Sequence, residues 1–137
     1  MELLIPRHVA IIPDGNRRYG RKYNLSLREA YAHGMEKLRK VIGWSKELGI
    51  RILTVWGFST ENFSRSSLEK RIFFSLLEEK VREILRSREL EKSGVKVKII
   101  GKIEWFPKRL RELFEEIERR TRRGSMKLIL ALGYGGR

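Results

Sequence analysis

The sequence predicts an α/β protein, a parallel sheet with helices on both faces. Two observations predict it. Short apolar, β-branched runs alternate with longer stretches whose apolar residues recur at helical spacing, in the order strand, helix, strand, helix, strand, helix, strand. Glycine, proline or a polar cluster closes most of these segments, and no internal repeat, low-complexity tract or linker interrupts the series. At 137 residues the chain is the size of one domain, so residues 1–137 read as a single unit.

The first strand is carried by HVAIIP, in which Val9, Ala10, Ile11 and Ile12 form a run suited to a buried position. After an Asp14-Gly15-Asn16 turn, Ala30, Met35, Leu38, Val41, Ile42 and Trp44 follow helical spacing up to Leu48, and Gly49 stands where a helix stop belongs. The second strand is RILTVWGF, residues 51–58, rich in β-branched and aromatic side chains. A long helix is expected from Ser67 to about Leu90, with Ser66 or Ser67 as N-cap and Glu69 in the first turn. Leu68, Ile72, Phe73, Leu76, Leu77, Val81, Ile84 and Leu85 form its apolar stripe. Gly94 ends it. VKVKIIG, residues 95–101, alternates as a third strand, and Pro107 opens a helix with Leu110, Leu113, Phe114 and Ile117 on its core side. KLILALGYGGR is the fourth strand, running to the last residue.

Composition narrows the function. An apolar fraction of 41% with 9% aromatics describes a folded globule. The absence of cysteine excludes disulfides and thiolate metal sites and suits a reducing, cytoplasmic setting. No apolar run reaches the roughly 20 residues of a membrane span, and the start, MELLIPRH, is too short for a signal peptide. Charge is the unusual feature: 31 Lys and Arg against 17 Asp and Glu leave +14. That excess attracts polyanions, whether nucleic acid, an anionic membrane face or a diphosphate substrate, and part of it fits a heat-adapted surface.

Ligands of parallel sheets bind at the carboxyl ends of the strands. Three unusual loops fall there: Asp14-Gly15-Asn16 after the first strand, Ser59-Thr60-Glu61-Asn62 after the second, and Gly133-Tyr134-Gly135-Gly136-Arg137 at the end of the fourth. A glycine lets backbone N–H groups approach an anion closely, Arg17 and Arg18 could neutralise a diphosphate, and Asp14 could share a hard cation with it. Taken alone, Asp14 and Gly15 fit an ordinary helix cap and turn equally well. The second loop adds Ser59, Glu61, Asn62 and Arg65, which a helix cap does not explain. His33, one of two histidines, reads alone as a helix-surface residue.

Four segments, HVAIIPDGNRRYG, TVWGFSTENFSRS, VKIIG and LALGYGGR, occur in this order. Together they closely resemble the cis-prenyltransferases, the family of undecaprenyl and dehydrodolichyl diphosphate synthases. The likeness runs from about His8 to the last residue, and DGNRRY is similar to the archaeal and eukaryotic branch. It implies a Mg²⁺-dependent polyprenyl diphosphate synthase that condenses isopentenyl diphosphate onto an allylic primer such as farnesyl or geranylgeranyl diphosphate. By that resemblance Asp14 holds Mg²⁺, Gly15, Asn16, Arg17 and Arg18 cradle the allylic diphosphate, Tyr19 replaces the family's aromatic, and His33 matches the family histidine. Ser59, Thr60, Glu61, Phe63 and Arg65 match the second substrate motif, in which Asn62 is the candidate proton acceptor or, as a weak base, an orienting group.

The stripe of residues 68–85 gains a second role beside core packing, as lining for the growing chain. The resemblance also implies peripheral membrane contact and a homodimer or heteromeric partner. Departures accompany it: Lys102 stands where the family has an acid, Gly133 where it has Asn, and Glu29, with Arg28 beside it, where it has arginine. The family's last strands and helices, with a second arginine-rich motif, are expected to be missing after the final Gly-Gly-Arg, as in a truncated form. A basic nucleic-acid-binding module, using Arg82, Arg86, Arg88 and the run RRTRR at 119–123, is the alternative. No recognised RNA-binding signature or zinc spacing supports it, and no nucleic-acid partner is expected.

Overall fold

The computed structural model describes residues 4–58 and 65–133. Four parallel strands, β1 (His8–Ile11), β2 (Ile52–Phe58), β3 (Val95–Ile100) and β4 (Met126–Leu132), form one sheet in the order β1-β2-β4-β3. Between them run α1 (Asn16–Lys22), α2 (Leu27–Glu47), α3 (Ser67–Ser87), α4 (Glu89–Ser93) and α5 (Lys108–Arg120), with a 3₁₀ turn at Ile103–Trp105. The parallel α/β class expected from the alternating pattern is the class observed.

Register explains which side chains form the core. Val9, Leu53, Leu128 and Val97 lie abreast, as do Ile11, Val55, Leu130 and Ile99 one pleat on, so all eight share one face. On that face Leu53, Val55, Val97 and Leu128 are almost wholly buried. Tyr31 of α2, Phe73, Leu76 and Val81 of α3, and Leu110, Phe114 and Ile117 of α5 join the same cluster. On the opposite face Ile52, Thr54, Trp56 and Ile129 are half-buried, and Ala131 is buried.

The far edge of the sheet is closed by α5. The Val97 N–H points away from β4 and donates to Thr121 Oγ1 at 3.0 Å, and that hydroxyl donates in turn to the Ile117 carbonyl at 2.6 Å. An edge strand's free amide is thereby satisfied by a helix rather than left as a pairing template. Backbone lies close here: a Cβ at Gly101, whose φ is +119°, would sit 2.0 Å from the Leu132 carbonyl oxygen. Phe74, Phe106 and Phe114 pack in sequence, tilted and then edge to face, with ring centroids 5.2 and 5.7 Å apart.

Two predicted helical stretches are each broken. The stretch ending at Leu48 contains two helices, because Asn24 turns left-handed (φ 55°) and Ser26 starts α2 with a capping box. In that box the Glu29 N–H donates to Ser26 Oγ and the Ser26 N–H to Glu29 Oε1. These bonds with Ser26 hold the Glu29 carboxyl below its ordinary value. The stretch from Ser67 breaks at Arg88, also left-handed (φ 57°), which separates α3 from α4. Leu68 lies outside its apolar stripe and is exposed. The fourth strand stops at Leu132, where Gly133 adopts φ +69°.

Candidate functional site

Strand β1 ends at Ile11, and the chain passes through Pro13 and Asp14 to Gly15, whose positive φ of 90° starts α1. No side chain caps this helix, so Asp14 is not a helix cap. Its carboxylate accepts a hydrogen bond from Arg18 Nη2 at 3.0 Å, an exposed pair. A cleft of about 530 Å³ opens here at the carboxyl ends of β1 and β2. Pro13, Asp14, Gly15, Asn16, Arg17, Arg18 and Arg21 line it together with Tyr31, Gly57, Arg65 and Phe73.

Arg65 is fixed by a network. Its Nη1 donates to the Tyr31 hydroxyl and to Glu69 Oε1, each at 2.9 Å, while Tyr31 donates to the same Glu69 oxygen at 2.8 Å. Arg17 approaches that carboxylate at 3.9 Å. Burial, and then the bond to Glu69, push the Tyr31 hydroxyl above its ordinary value. With Arg17, Arg18, Arg21 and Arg65 set against Asp14 and Glu69, the cleft carries a surplus of two positive charges. Such a surplus in a concave site attracts an anion, and forked guanidiniums suit phosphate oxygens.

Of the residues singled out in the sequence, Asp14, Gly15, Asn16, Arg17, Arg18 and Arg65 converge on this cleft. Tyr19 and His33 do not line it. They face each other with ring centroids 5.8 Å apart, Tyr19 also packs on Tyr23 at 4.7 Å, and His33 is exposed. Asn16 lies against Gly34, where a Cβ would come 2.6 Å from its Oδ1, so the small residue on α2 makes room for the loop. Ser59, Thr60, Glu61, Asn62 and Phe63 lie outside the described residues.

The sequence reading missed Arg21, Tyr31, Gly57 and the bridging role of Glu69. The i, i+4 spacing of Arg65 and Glu69 was a legible signal for that pair. Tyr31, 34 residues from Arg65, had none. Phe73 belongs to the core cluster and also lines the cleft. Arg28 pairs with Glu79 on α3, so this departure serves helix packing rather than the cleft.

A family model described as "Putative undecaprenyl diphosphate synthase" matches residues 12–137. The tritrans,polycis-undecaprenyl-diphosphate synthase (geranylgeranyl-diphosphate specific) of Pyrococcus furiosus is 47% identical over 135 residues, 98% of this chain and 51% of that protein. Its namesake from Archaeoglobus fulgidus is 43% identical over 134 residues, 97% of this chain and 53% of the relative. Among solved structures, lavandulyl diphosphate synthase from Lavandula x intermedia, in complex with dimethylallyl diphosphate, superposes with a TM-score of 0.88 at 28% identity. That match covers 95% of this chain and 56% of the lavender enzyme. The chain spans about half the length of the curated relatives it matches. The comparisons lend no support to a nucleic-acid-binding module.

Proposed function

Because the chain belongs to the undecaprenyl diphosphate synthase family, the cis-prenyltransferases, we propose that its cleft seats the diphosphate of an allylic prenyl primer. In the whole protein that primer is extended by isopentenyl diphosphate. The observation that carries this reading is the convergence of Asp14, Arg17, Arg18, Arg21 and Arg65 on one cleft at the carboxyl rim of a parallel sheet. Geranylgeranyl diphosphate is the primer we favour over farnesyl diphosphate, since the archaeal relatives are described as specific for it.

Mg²⁺ fits the residues present in one way. Among the described residues no group of three or more His, Cys, Asp or Glu could hold a metal. Asp14 is an exposed carboxylate at the cleft. Magnesium is commonly held by one or two carboxylates together with substrate phosphates, so Asp14 plus diphosphate oxygens is a sufficient set. When bound, the ion supplies charge neutralisation for a departing pyrophosphate. Arg17, Arg18 and Arg65 share that work through forked hydrogen bonds, and Tyr31 with Glu69 fixes where the Arg65 guanidinium points.

The reaction proposed breaks the allylic carbon–oxygen bond and joins that carbon to the terminal alkene carbon of isopentenyl diphosphate. A proton is then lost to released pyrophosphate, with Asn62 as an orienting group, and a cis double bond results. The reading extends to peripheral contact with an anionic membrane, where a polyprenyl product partitions, and to a homodimer or a heteromeric partner.

Calorimetric titration of geranylgeranyl diphosphate with Mg²⁺ tests the binding step, and incorporation of labelled isopentenyl diphosphate into extractable lipid tests the reaction. Asp14→Ala is expected to weaken Mg²⁺-dependent binding at least tenfold while circular dichroism stays unchanged. Wild-type affinity in that variant would sink the metal role.

A further inference from the structure

A parallel sheet has two chemically distinct rims, and the cleft above occupies one of them. At the other, where β3 and β4 begin, lies a second cleft of about 520 Å³. Arg88, Glu91, Arg119, Arg120, Arg122 and Arg123 line it, with backbone at Gly94 and Gly124. Strands of six and seven residues place the two rims roughly 20 Å apart, so an anion in one cleft does not touch the other.

Glu91 organises the second cleft. Arg88 Nε donates to its Oε2 at 3.1 Å and Arg120 Nε forms an ion pair with its Oε1 at 3.0 Å, so one carboxylate, itself mostly buried, holds two guanidiniums together. Arg119 and Arg120 share Glu116. Arg122 and Arg123 are exposed and have no carboxylate partner among the described residues. Five guanidiniums therefore face two carboxylates, a surplus of three positive charges.

The helix dipole accounts for part of this, since cations are favoured in the last turn of α5. Arg88, the C-cap of α3, is favoured in the same way, but Arg122 and Arg123 lie beyond the end of α5.

We propose that this cleft is a second anion site, taking a ligand with two or three adjacent phosphate groups. Forked guanidiniums match phosphate oxygens, and the concave form suits a discrete ligand better than a long polyanion, which needs an extended stripe. Two sources supply the same chemistry, a phospholipid headgroup and a soluble oligophosphate.

The test uses the full 137-residue chain carrying Arg17→Ser and Arg18→Ser, which weakens the first cleft, so the outcome is independent of the function proposed for it. Titration with tripolyphosphate at physiological salt is followed by amide NMR and calorimetry. The Gly94, Val95 and Gly124 amides are expected to shift together. Adding Arg122→Ser and Arg123→Ser is expected to weaken binding at least tenfold, while Lys108→Ser, on the exposed start of α5, leaves it unchanged. Shifts spread evenly over the surface, or an equal loss with Lys108→Ser, would overturn the site.

Sedimentation with vesicles containing cardiolipin, whose headgroup carries two phosphates, separates the sources. Retention lost with Arg122 and Arg123 assigns the headgroup, and tripolyphosphate binding without retention assigns the soluble anion. A single-stranded RNA that displaces tripolyphosphate at equal phosphate concentration, through the same arginines, would replace the proposal with a nucleic-acid surface.

Discussion

At the β3 edge of the sheet, α5 lies against the strand, Thr121 satisfies the outward Val97 amide, and Phe114 and Leu110 are almost wholly buried. At the β1 edge, a four-residue strand leaves His8 and Ala10 exposed and leads straight into Asp14, Gly15 and the arginines. Along the first edge the outward strand amide and the apolar side chains of α5 have protein partners. The second keeps its strongest hydrogen-bonding groups facing a cleft, where a ligand can replace the solvent around them. Core packing and the cleft proposed for the primer are thus segregated to opposite edges, and substitutions at the two should separate in what they change.

The largest stability loss is expected at the packed edge. Phe114→Ala empties a fully buried ring site among Phe106 and the α3 side chains, and should cost about 3–5 kcal/mol in urea unfolding. Thr121→Val keeps the shape but leaves the Val97 N–H buried without an acceptor. A loss of about 1–2 kcal/mol is expected, with faster hydrogen exchange at that amide as the local readout. At the other edge, Asp14→Ala should move unfolding by less than about 0.5 kcal/mol, because the carboxylate is exposed and its one ion pair among the described residues is a surface pair. If thermal melts ranked these three in the reverse order, the segregation would be broken.

Much of this arrangement is written locally. The four apolar runs, the Ser66 cap, Gly94 as a stop and Pro107 at the start of α5 all act within a few residues, and each was legible. The loop Asp14 to Arg18 was legible as a turn after a strand, while its reading as an anion seat leaned on the resemblance, since its local chemistry fits a plain turn equally well. The break at Arg88 was not legible, since the left-handed residue is not a glycine and helical periodicity continues on both sides. The break near Asn24 carried a signal that went unread, the Ser26-x-x-Glu29 capping box. The clamp of Tyr31, Arg65 and Glu69 was hidden for another reason. Tyr31 comes to Arg65 only because α2 and α3 pack side by side over the sheet, and no spacing within either helix records that.

The short β1 strand couples occupancy of the cleft to the integrity of the fold's edge. Paired with β2 alone among the described residues, it is the segment whose amides should open first in native-state exchange, well below the global unfolding free energy. A ligand gripping Asp14 and the following loop must be released before that opening can occur, so binding closes the fraying route by mass action. The protein's most easily detached strand would then act as a gauge of whether its cleft is filled.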